Sequence, residues 1–396
     1  MASSAPLSKA NTTFCLDLFR KLSDNDNTAN IFFSPFSISS ALAMVMLGAR
    51  GNTATQMSEV HDTILPKDTS CLKTQDCQDV HTSFTQLLTE FNKADAPYAL
   101  SVANRLYGEQ SYQFIEDFLT QTRKLYNAEL ESVDFKTSSE AARVNINSWV
   151  EKQTQGKIRD MLPKDVLDND SRLVLVNAMY FKGTWNKTFE RIDTYDAKFR
   201  LNKSDTKPVK MMNKTADFPL ASIPEANCQI LEMPYKGKEL SMLIFLPNEI
   251  EDDTTGLEKL EKQLTYEKFV EWTRPDMMSE VEVDVKLPQF KLEETYDLKG
   301  VLKNMGMVDA FDDKKSDFSG EILNPSSIYQ FIHKTHVEVN EEGTEAAAAT
   351  GACFRFLSGR MYFNLAHFIA DHPFLFFIRH NTTMSVLFAG RFCSPV

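Results

Sequence analysis

Cysteine is scarce in this chain, and its spacing excludes two common uses of the residue. The 396 residues include six cysteines, and none of them forms a CxxC pair. A zinc ribbon or a thioredoxin-like redox site would need that spacing. Six cysteines are also too sparse to scaffold so long a chain through disulfides, so free thiols in a reducing compartment are predicted. The six are Cys15, Cys71, Cys77, Cys228, Cys353 and Cys393.

Long apolar runs are lacking as well. The longest one near the N-terminus covers residues 41–47, which is too short to cross a bilayer. The first residues contain no basic segment followed by an apolar core, so no cleaved signal peptide is predicted. We therefore expect a cytoplasmic protein with no membrane partner; release by a route other than signal-peptide cleavage is the alternative.

Positive charge is in deficit. The chain carries 43 lysines and arginines against 55 aspartates and glutamates, for a net charge of −12. Nucleic-acid binding rests largely on cationic side chains that neutralise phosphates. An acidic chain of this kind is therefore expected to have no nucleic-acid partner.

Motifs of catalysis and cofactor binding are missing too. The sequence has no GxSxG, HExxH, phosphate-binding P-loop or GxGxxG pattern. His333 and His336 lie three residues apart and could suggest half of a metal site. Alternation along a strand places these two side chains on opposite faces, which makes a shared metal unfavourable. The sequence thus predicts neither an enzyme nor a bound cofactor or metal.

The first third of the chain shows mostly helical patterns. Residues 31–53 contain an apolar helix, expected to be buried and to end at Gly48 and Gly51. An amphipathic helix is predicted at residues 141–161. Between helices, the polar and aperiodic residues 62–82 predict a mobile loop.

Strand patterns dominate the second half. Residues 173–181 form a near-continuous apolar run, which is typical of a central strand buried on both faces. Helices followed by strands, without a linker or a repeat, predict one α+β domain over residues 1–396. Further strands are predicted at residues 240–247, 281–290, 373–379 and 386–392.

An unusual run of small residues, NEEGTEAAAATGA, occupies residues 340–352 between strand-like segments. On a strand, Thr344, Ala346, Ala348 and Thr350 would share one small, uncharged face. Alanine favours a helix over a strand, so local propensity does not fix one state. The run could join a sheet or stay outside as a loop. From composition alone, a flexible linker or a short helix is the simpler interpretation.

Five stretches of the chain match the motifs of one protein family. They are NIFFSPFSISSALAMVMLGARGNTATQM, LVNAMYFKGTW, LPQFKLEETYDL, VEVNEEGTEAAAATG and ADHPFLFFIRHN. Through them the chain resembles the serpin family over nearly its full length, most closely the ovalbumin-like intracellular branch. The resemblance implies an α+β serpin fold with three β-sheets, eight or nine helices and an exposed reactive-centre loop at about residues 341–364.

The resemblance implies an irreversible suicide-substrate inhibitor of serine proteases. In that family the protease attacks the loop, becomes covalently bound as an acyl-enzyme, and is trapped when the loop inserts as a new central strand. The native fold is then metastable, and its lifetime is kinetic. The hinge that starts insertion would comprise Gly343, Thr344, Glu345, Ala346, Ala347, Ala348 and Ala349.

The same resemblance assigns two groups of residues around the opening sheet. Ser34, Ser37, Asn177 and His333 match the polar shutter that lies beneath it. Trp185 matches the breach, where the hinge first enters. The alternative role of all five residues is ordinary core packing and hydrogen bonding.

Two ways of counting place the attacked bond differently. Family spacing from Gly343 puts it between Leu357 and Ser358, whereas counting back from the ADHPF motif puts it between Arg360 and Met361. We favour Leu357, because extra residues after the bond need not enter the sheet. Leucine suits chymotrypsin-like, cathepsin G-like or elastase-like proteases, and arginine would suit a trypsin-like one.

Alternatives remain for the partner and the activity. Phe354 and Phe356 near the bond could favour a cysteine protease as target. A non-inhibitory serpin with a binding or storage role is the competing function, although such members often lose the small, uncharged hinge. The chain is expected to be a monomer with a risk of polymerisation, since a spare strand can enter a neighbour's sheet.

Overall fold

The computed structural model describes residues 5–60, 75–344 and 365–396, and within them helices alternate with long strands. The nine α-helices of these residues are α1 Ala5–Ser23, α2 Pro35–Met46, α3 Gly51–Val60, α4 Gln75–Phe91, α5 Glu116–Tyr126, α6 Phe135–Gln153, α7 Glu258–Gln263, α8 Tyr266–Thr273 and α9 Leu298–Asn304. Their strands are β1 Ile31–Phe33, β2 Tyr98–Glu109, β3 Leu130–Val133, β4 Leu173–Thr184, β5 Tyr195–Arg200, β6 Thr206–Ile223, β7 Cys228–Pro234, β8 Leu240–Pro247, β9 Ser279–Pro288, β10 Phe290–Asp297, β11 Ile328–Asn340, β12 Gly343–Thr344, β13 Ala366–Ile369, β14 Phe374–His380 and β15 Ser385–Phe392. None of the described helices is both long and apolar enough to span a membrane.

The strands form two hydrogen-bonded networks. One has six strands in the order β10-β11-β12-β4-β2-β3, and the other runs β1-β15-β14-β8-β7-β6-β9-β13 with β5 paired to β6. The serpin resemblance implies three sheets, whereas the described residues give two networks. The reason is the long strand β6, which pairs with β5 and β9 along most of its length and with β7 at its end. It thereby connects strands that would otherwise form separate sheets.

The central strand of the six-stranded sheet is covered on both faces. The first nine residues of β4 are buried without interruption, which confirms the expectation from its apolar run. One face packs against α6 through a cluster that includes Val174, Val176, Ile146 and Val150. The other face belongs to the main core, which contains Leu175 and most of the other apolar side chains.

Helix α2 is buried along its whole length, as its apolar sequence predicts. Ser34 caps its first turn by accepting a hydrogen bond from the backbone N–H of Ser37, and Pro35 occupies the first helical position. The helix ends at Met46, so Gly48 lies in the turn that follows. Gly51 does not end this helix but begins α3, with a φ of +52°.

The predicted mobile loop at residues 62–82 extends too far at its C-terminal end. Helix α4 already begins at Gln75, and residues 62–74 lie outside the described ranges. The apolar positions that identify this helix start only at Phe84, and the polar residues before it resemble a loop. The composition of residues 75–82 alone therefore does not distinguish the end of a loop from the first turns of a helix.

The helix predicted at residues 141–161 is displaced. Helix α6 begins earlier, after Asp134 accepts a hydrogen bond from the backbone N–H of Thr137, and it ends at Gln153. The chain then breaks at Gln155 and Gly156, both of which have positive φ values. Ile158 lies beyond the break and is fully buried, so its apolar side chain looked like a continuation of the helix.

The strands predicted for the second half are confirmed. β8 covers the expected residues, and β14 and β15 match to within one residue at each end. β9 begins and ends two residues earlier than expected, and Phe290, the last residue of the predicted strand, starts β10 instead. β8, β14 and β15 are buried at every residue, and for that reason their apolar runs identify them in the sequence.

Candidate functional site

A short strand lies where the two central strands of the six-stranded sheet separate. β4 and β11 are parallel and pair directly as far as Tyr180 and His336. Beyond that point β12 lies between them and pairs antiparallel with both. The first two predicted hinge residues, Gly343 and Thr344, therefore form a strand inside the sheet.

Gly343 occupies a position that accepts no side chain. Its φ is +149°, in a region that residues with a Cβ atom rarely adopt. A Cβ atom there would lie 2.1 Å from the carbonyl oxygen of Gly183 and 2.8 Å from the Cα atom of Thr184. Both are backbone atoms of β4, which could yield only by breaking the strand pairing. Glycine thus permits the close approach of β12 to β4.

Thr344 is fully buried, and its hydroxyl forms a hydrogen bond with a tyrosine that stacks on a tryptophan. The Tyr235 hydroxyl lies 2.9 Å from Thr344 Oγ1. The Tyr235 ring stacks on Trp185 with centroids 4.6 Å apart and an interplanar angle of 14°. Burial raises the pKa of Tyr235, so this hydroxyl stays protonated at neutral pH.

Trp185 holds the turn between β11 and β12. Its indole Nε1–H donates to the carbonyl oxygen of Asn340 at 3.0 Å. Its backbone N–H donates to the carbonyl oxygen of Glu342 at 2.8 Å. The residue that the sequence assigned to the breach therefore contacts the base of the hinge directly.

Glu341 anchors the same turn, although sequence reasoning gave it no role beyond the start of the loop. Its side chain is only 6% exposed. The carboxylate accepts hydrogen bonds from Thr194 Oγ1 at 2.7 Å and from Gln289 Nε2 at 2.6 Å. A signal was present in the sequence, because Glu341 continues the alternation of the buried residues Val337 and Val339.

The four predicted shutter residues form one buried network. Asn177 Oδ1 accepts hydrogen bonds from Ser37 Oγ at 2.9 Å and from the His333 imidazole at 2.6 Å. The Asn177 amide donates to the backbone carbonyl of Ser37 at 3.2 Å. Ser34 joins through its backbone N–H, which donates to His333 Nε2 at 3.0 Å. Because Asn177 belongs to β4 and His333 to β11, this network crosses the seam between the two strands.

The hydrogen bonds of His333 define its protonation. Nε2 accepts from a backbone N–H, so Nδ1 carries the proton that is donated to Asn177. Burial lowers the pKa of His333 to about 3. The imidazole is therefore neutral at physiological pH, and the network has no charged member.

His336 lies apart from this network. It is buried on the opposite face of β11, 3.8 Å from the carboxylate of Glu293. The two histidines thus have separate partners, as their spacing on a strand predicts. Within the described ranges, no three His, Cys, Asp or Glu side chains are grouped so that they could hold a metal ion.

The remaining predicted site residues lie outside the described ranges. They are Glu345, Ala346, Ala347, Ala348 and Ala349 of the hinge, and Leu357, Ser358, Arg360 and Met361 at the two candidate bonds.

The geometry defines a class of protein: an α+β protein in whose six-stranded sheet a short strand lies between the ends of the two central strands. A family model described as serpin (serine protease inhibitor) matches residues 9–395. The chain belongs to the serpin family. Members of this family are described as inhibitors, so the expectation that the chain is not an enzyme is confirmed.

Relatives and solved structures agree with this assignment. The chain is 52% identical to the leukocyte elastase inhibitor of Equus caballus, over 98% of this chain and 99% of the relative. It is 50% identical to serpin B6 of Pongo abelii, with the same coverage. The structure matches uncleaved ovalbumin with a TM-score of 0.86, at 38% identity over 98% of this chain and all of that chain. It matches maspin with a TM-score of 0.89, at 36% identity over the full length of both chains. The resemblance to the ovalbumin-like branch and the α+β serpin fold are confirmed.

Proposed function

We propose that this chain is an irreversible suicide-substrate inhibitor of serine proteases. The observation that carries the proposal is β12, in which Gly343 and Thr344 already pair with both β4 and β11. A strand that has begun in this position needs only further small residues to continue between the same two neighbours. The hinge supplies them.

The composition of the hinge supports continued insertion. Thr344 points into a fully buried position, so the alternate residues Ala346 and Ala348 would follow on the same face. Alanine can enter such a position with little volume and no charge to bury. Glu345, the single charge, would turn to the other face.

The trapping reaction would proceed at Leu357. The protease serine oxygen attacks the carbonyl carbon of Leu357, the bond to Ser358 breaks, and the new amino terminus leaves with a proton. An ester then joins the protease to the inhibitor. Insertion of the loop displaces the protease before water reaches this ester, and the inhibitor supplies no catalytic group.

The shutter and the breach would control the opening of the sheet. The Asn177–His333 hydrogen bond joins β4 to β11, so it must rearrange before a full strand can pass between them. Trp185 and Glu341 would hold the base of the hinge, at the turn between β11 and β12, until the loop is cut.

The relatives support proteases with an apolar primary pocket as targets. Six of the similar proteins are inhibitors named for leukocyte elastase, and leucine at the attacked position fits a chymotrypsin-like, cathepsin G-like or elastase-like enzyme. A trypsin-like target would instead use the bond between Arg360 and Met361. A cysteine protease is the third alternative.

A cytoplasmic, monomeric inhibitor is the state we propose. Among the described residues Cys15, Cys228 and Cys393 are free and buried, which fits a reducing compartment. Fractionation of cells that express the chain, with the culture medium assayed alongside, tests the location. Sedimentation after mild heating tests for polymers.

The deciding experiment is incubation of the purified protein with chymotrypsin, neutrophil elastase, cathepsin G, trypsin and papain in separate reactions. Denaturing gels should show a covalent complex, and mass spectrometry should find a released peptide that starts at Ser358. A peptide that starts at Met361, with trypsin trapped, would move the bond to Arg360. Cleavage by every protease without any complex would contradict inhibition and favour the binding or storage role.

A further inference from the structure

A groove with a volume of about 680 Å³ follows the edge strand β10, on the far side of β11 from the seam. Its inner wall is apolar, with Val209, Phe290, Val339 and Phe392 all buried. A concave site of this size with an apolar wall is typical of small-molecule sites.

Glu294 is one of three glutamates that line this groove. Glu294 faces Thr335 in the β10–β11 register, and Thr335 is fully buried, so Glu294 lies on the inward face of β10. No hydrogen bond or ion pair joins its carboxylate to another residue of the described chain. Burial, with a smaller contribution from the charge of Glu293, raises the pKa of Glu294 to about 7. The ionised carboxylate is thus poorly stabilised by the protein itself.

The other charged side chains of the groove are already paired or face elsewhere, and the carboxylate of the C-terminal residue Val396 adds a further negative charge to its lining. Lys210 is 2.6 Å from the carboxylate of Asp196. Glu293 lies on the outer face of β10, 2.8 Å from Lys334 Nζ. Lys291 also lies on that outer face, opposite a glutamate of β11 in the strand register. Among the described side chains of the groove, Glu294 is the inward-facing charge without a partner.

We propose that this groove binds a small organic ammonium ion with an apolar body. The ammonium group donates hydrogen bonds to the Glu294 carboxylate, and the apolar body packs against Phe290 and Phe392. A charged hydrogen bond in this half-buried place contributes more than a neutral one. The groove needs both features to select such a ligand. The carboxylate alone would bind any cation, and the apolar wall alone would bind any apolar molecule.

The groove shares residues with the base of the hinge. Gln289 lines it and donates a hydrogen bond to Glu341. Asn340 also lines it, and its carbonyl oxygen accepts from the Trp185 indole. A bound ligand would therefore contact two residues that hold the turn between β11 and β12, and it should slow the insertion of the loop by stabilising that turn. This second effect rests on the proposed function; ligand binding itself does not.

The binding test uses 4-phenylbutylamine and its neutral analogue 4-phenylbutanol as probes, with isothermal titration calorimetry on the full-length protein. The amine should bind about tenfold more tightly than the alcohol or better. Glu294→Gln should remove that difference, whereas Glu267→Gln, at an exposed residue of α8 outside the groove, should preserve it. Glu294→Lys should abolish amine binding and serves as a second variant if the glutamine variant does not fold. Equal affinity for both probes, or no amine binding at millimolar concentration, overturns the proposal.

The coupling test measures the stoichiometry of inhibition with and without the amine. A bound amine should raise the number of inhibitor molecules consumed per protease, and Glu294→Gln should be insensitive to it. Binding without this change would overturn the coupling to the hinge. A protein that binds the amine but traps no protease in its absence would instead contradict the proposed inhibition and leave the groove assignment in place.

Discussion

Glu321 is the most unfavourably placed carboxyl group of the described chain. It is fully buried, and neither carboxyl oxygen has a hydrogen-bond partner among the described residues. Its Cβ atom lies where a side chain on Gly48 would have to go, so it fills the turn after α2. Burial raises its pKa from 4.5 to about 8. A buried carboxyl of this kind weakens the native state at neutral pH, in a fold that we propose to be metastable.

Replacement of Glu321 by methionine should stabilise the native state. A carboxyl whose folded pKa is raised contributes stability below pH 4.5 and loses it as the pH rises toward 8. At pH 7.5 we expect Glu321→Met to raise the free energy of unfolding by about 2 to 4 kcal/mol, measured as the midpoint of the first urea transition. At pH 5 the gain should be much smaller. Glu267→Met on the exposed face of α8 is the control, and an equal gain at both pH values would refute the explanation.

His333 should give the opposite pH dependence. Its folded pKa of about 3 lies below the ordinary 6.5, so the stability it contributes is present above pH 6.5 and is lost as the pH falls toward 3. Protonation would also turn Nε2 into a donor facing the N–H of Ser34. We expect the unfolding rate to rise between pH 6.5 and 4, with a shallower slope in His333→Gln. His367→Gln, at a mostly exposed histidine, should leave the slope unchanged. An unchanged slope in His333→Gln would contradict this role.

At the scale of single elements, β12 is the strand on which the proposed inhibition depends. It has two residues, yet it pairs with both central strands and is fixed by a glycine that accepts no Cβ atom. Its other residue, Thr344, forms a hydrogen bond with the Tyr235 hydroxyl, and the Tyr235 ring stacks on Trp185. The start of an inserted strand is thus specified by shape at one residue and by a buried hydrogen bond at the next.

Thr344→Arg should convert the protein from an inhibitor into a substrate. A guanidinium in this fully buried position would have to lose its hydration, which is costly. The loop would then be cut faster than it inserts. Because burying a poorly paired charge is costly, the stoichiometry of inhibition should rise at least about tenfold. Thr344→Ser keeps the hydroxyl that Tyr235 binds and should inhibit normally. The measurement is titration of a trapped protease, and normal stoichiometry in the arginine variant would exclude insertion through Thr344.

The elements differ in how far their sequences predict them. β4 and α2 were found correctly because an apolar run identifies a strand or helix that is buried all round. β2 was missed within the helical first third, since its residues alternate only weakly between buried and exposed faces. The shutter residues were placed by resemblance, but the anchors Tyr235 and Gln289 lie far along the chain from the hinge. Their role depends on pairings between distant strands, which no local pattern contains.

At the scale of the whole molecule, the six-stranded sheet holds a two-residue strand, β12, between the ends of its two central strands. Its central pair is parallel for most of its length and separates only where β12 enters. Separating the pair further exposes backbone N–H and C=O groups that a new strand must satisfy. Under the proposed mechanism, a strand from the same chain would give the inserted inhibitor, and a strand from a neighbour would give a polymer. The two outcomes compete for one seam.

Cleavage of the loop should therefore make the molecule far more resistant to heat. If the loop is cut after Leu357, as we propose, the hinge would extend β12 along both β4 and β11 and satisfy their separated edges. We expect the midpoint of thermal unfolding to rise by roughly 20 °C, which for a chain of this length corresponds to on the order of 15 kcal/mol. Circular dichroism before and after limited proteolysis measures it, with cleaved Thr344→Arg as the matched control that should gain much less. An unchanged midpoint in the cleaved wild type would mean that the strand does not insert. The seam would then serve only to hold two residues of the hinge, and a binding or storage role would explain the fold better.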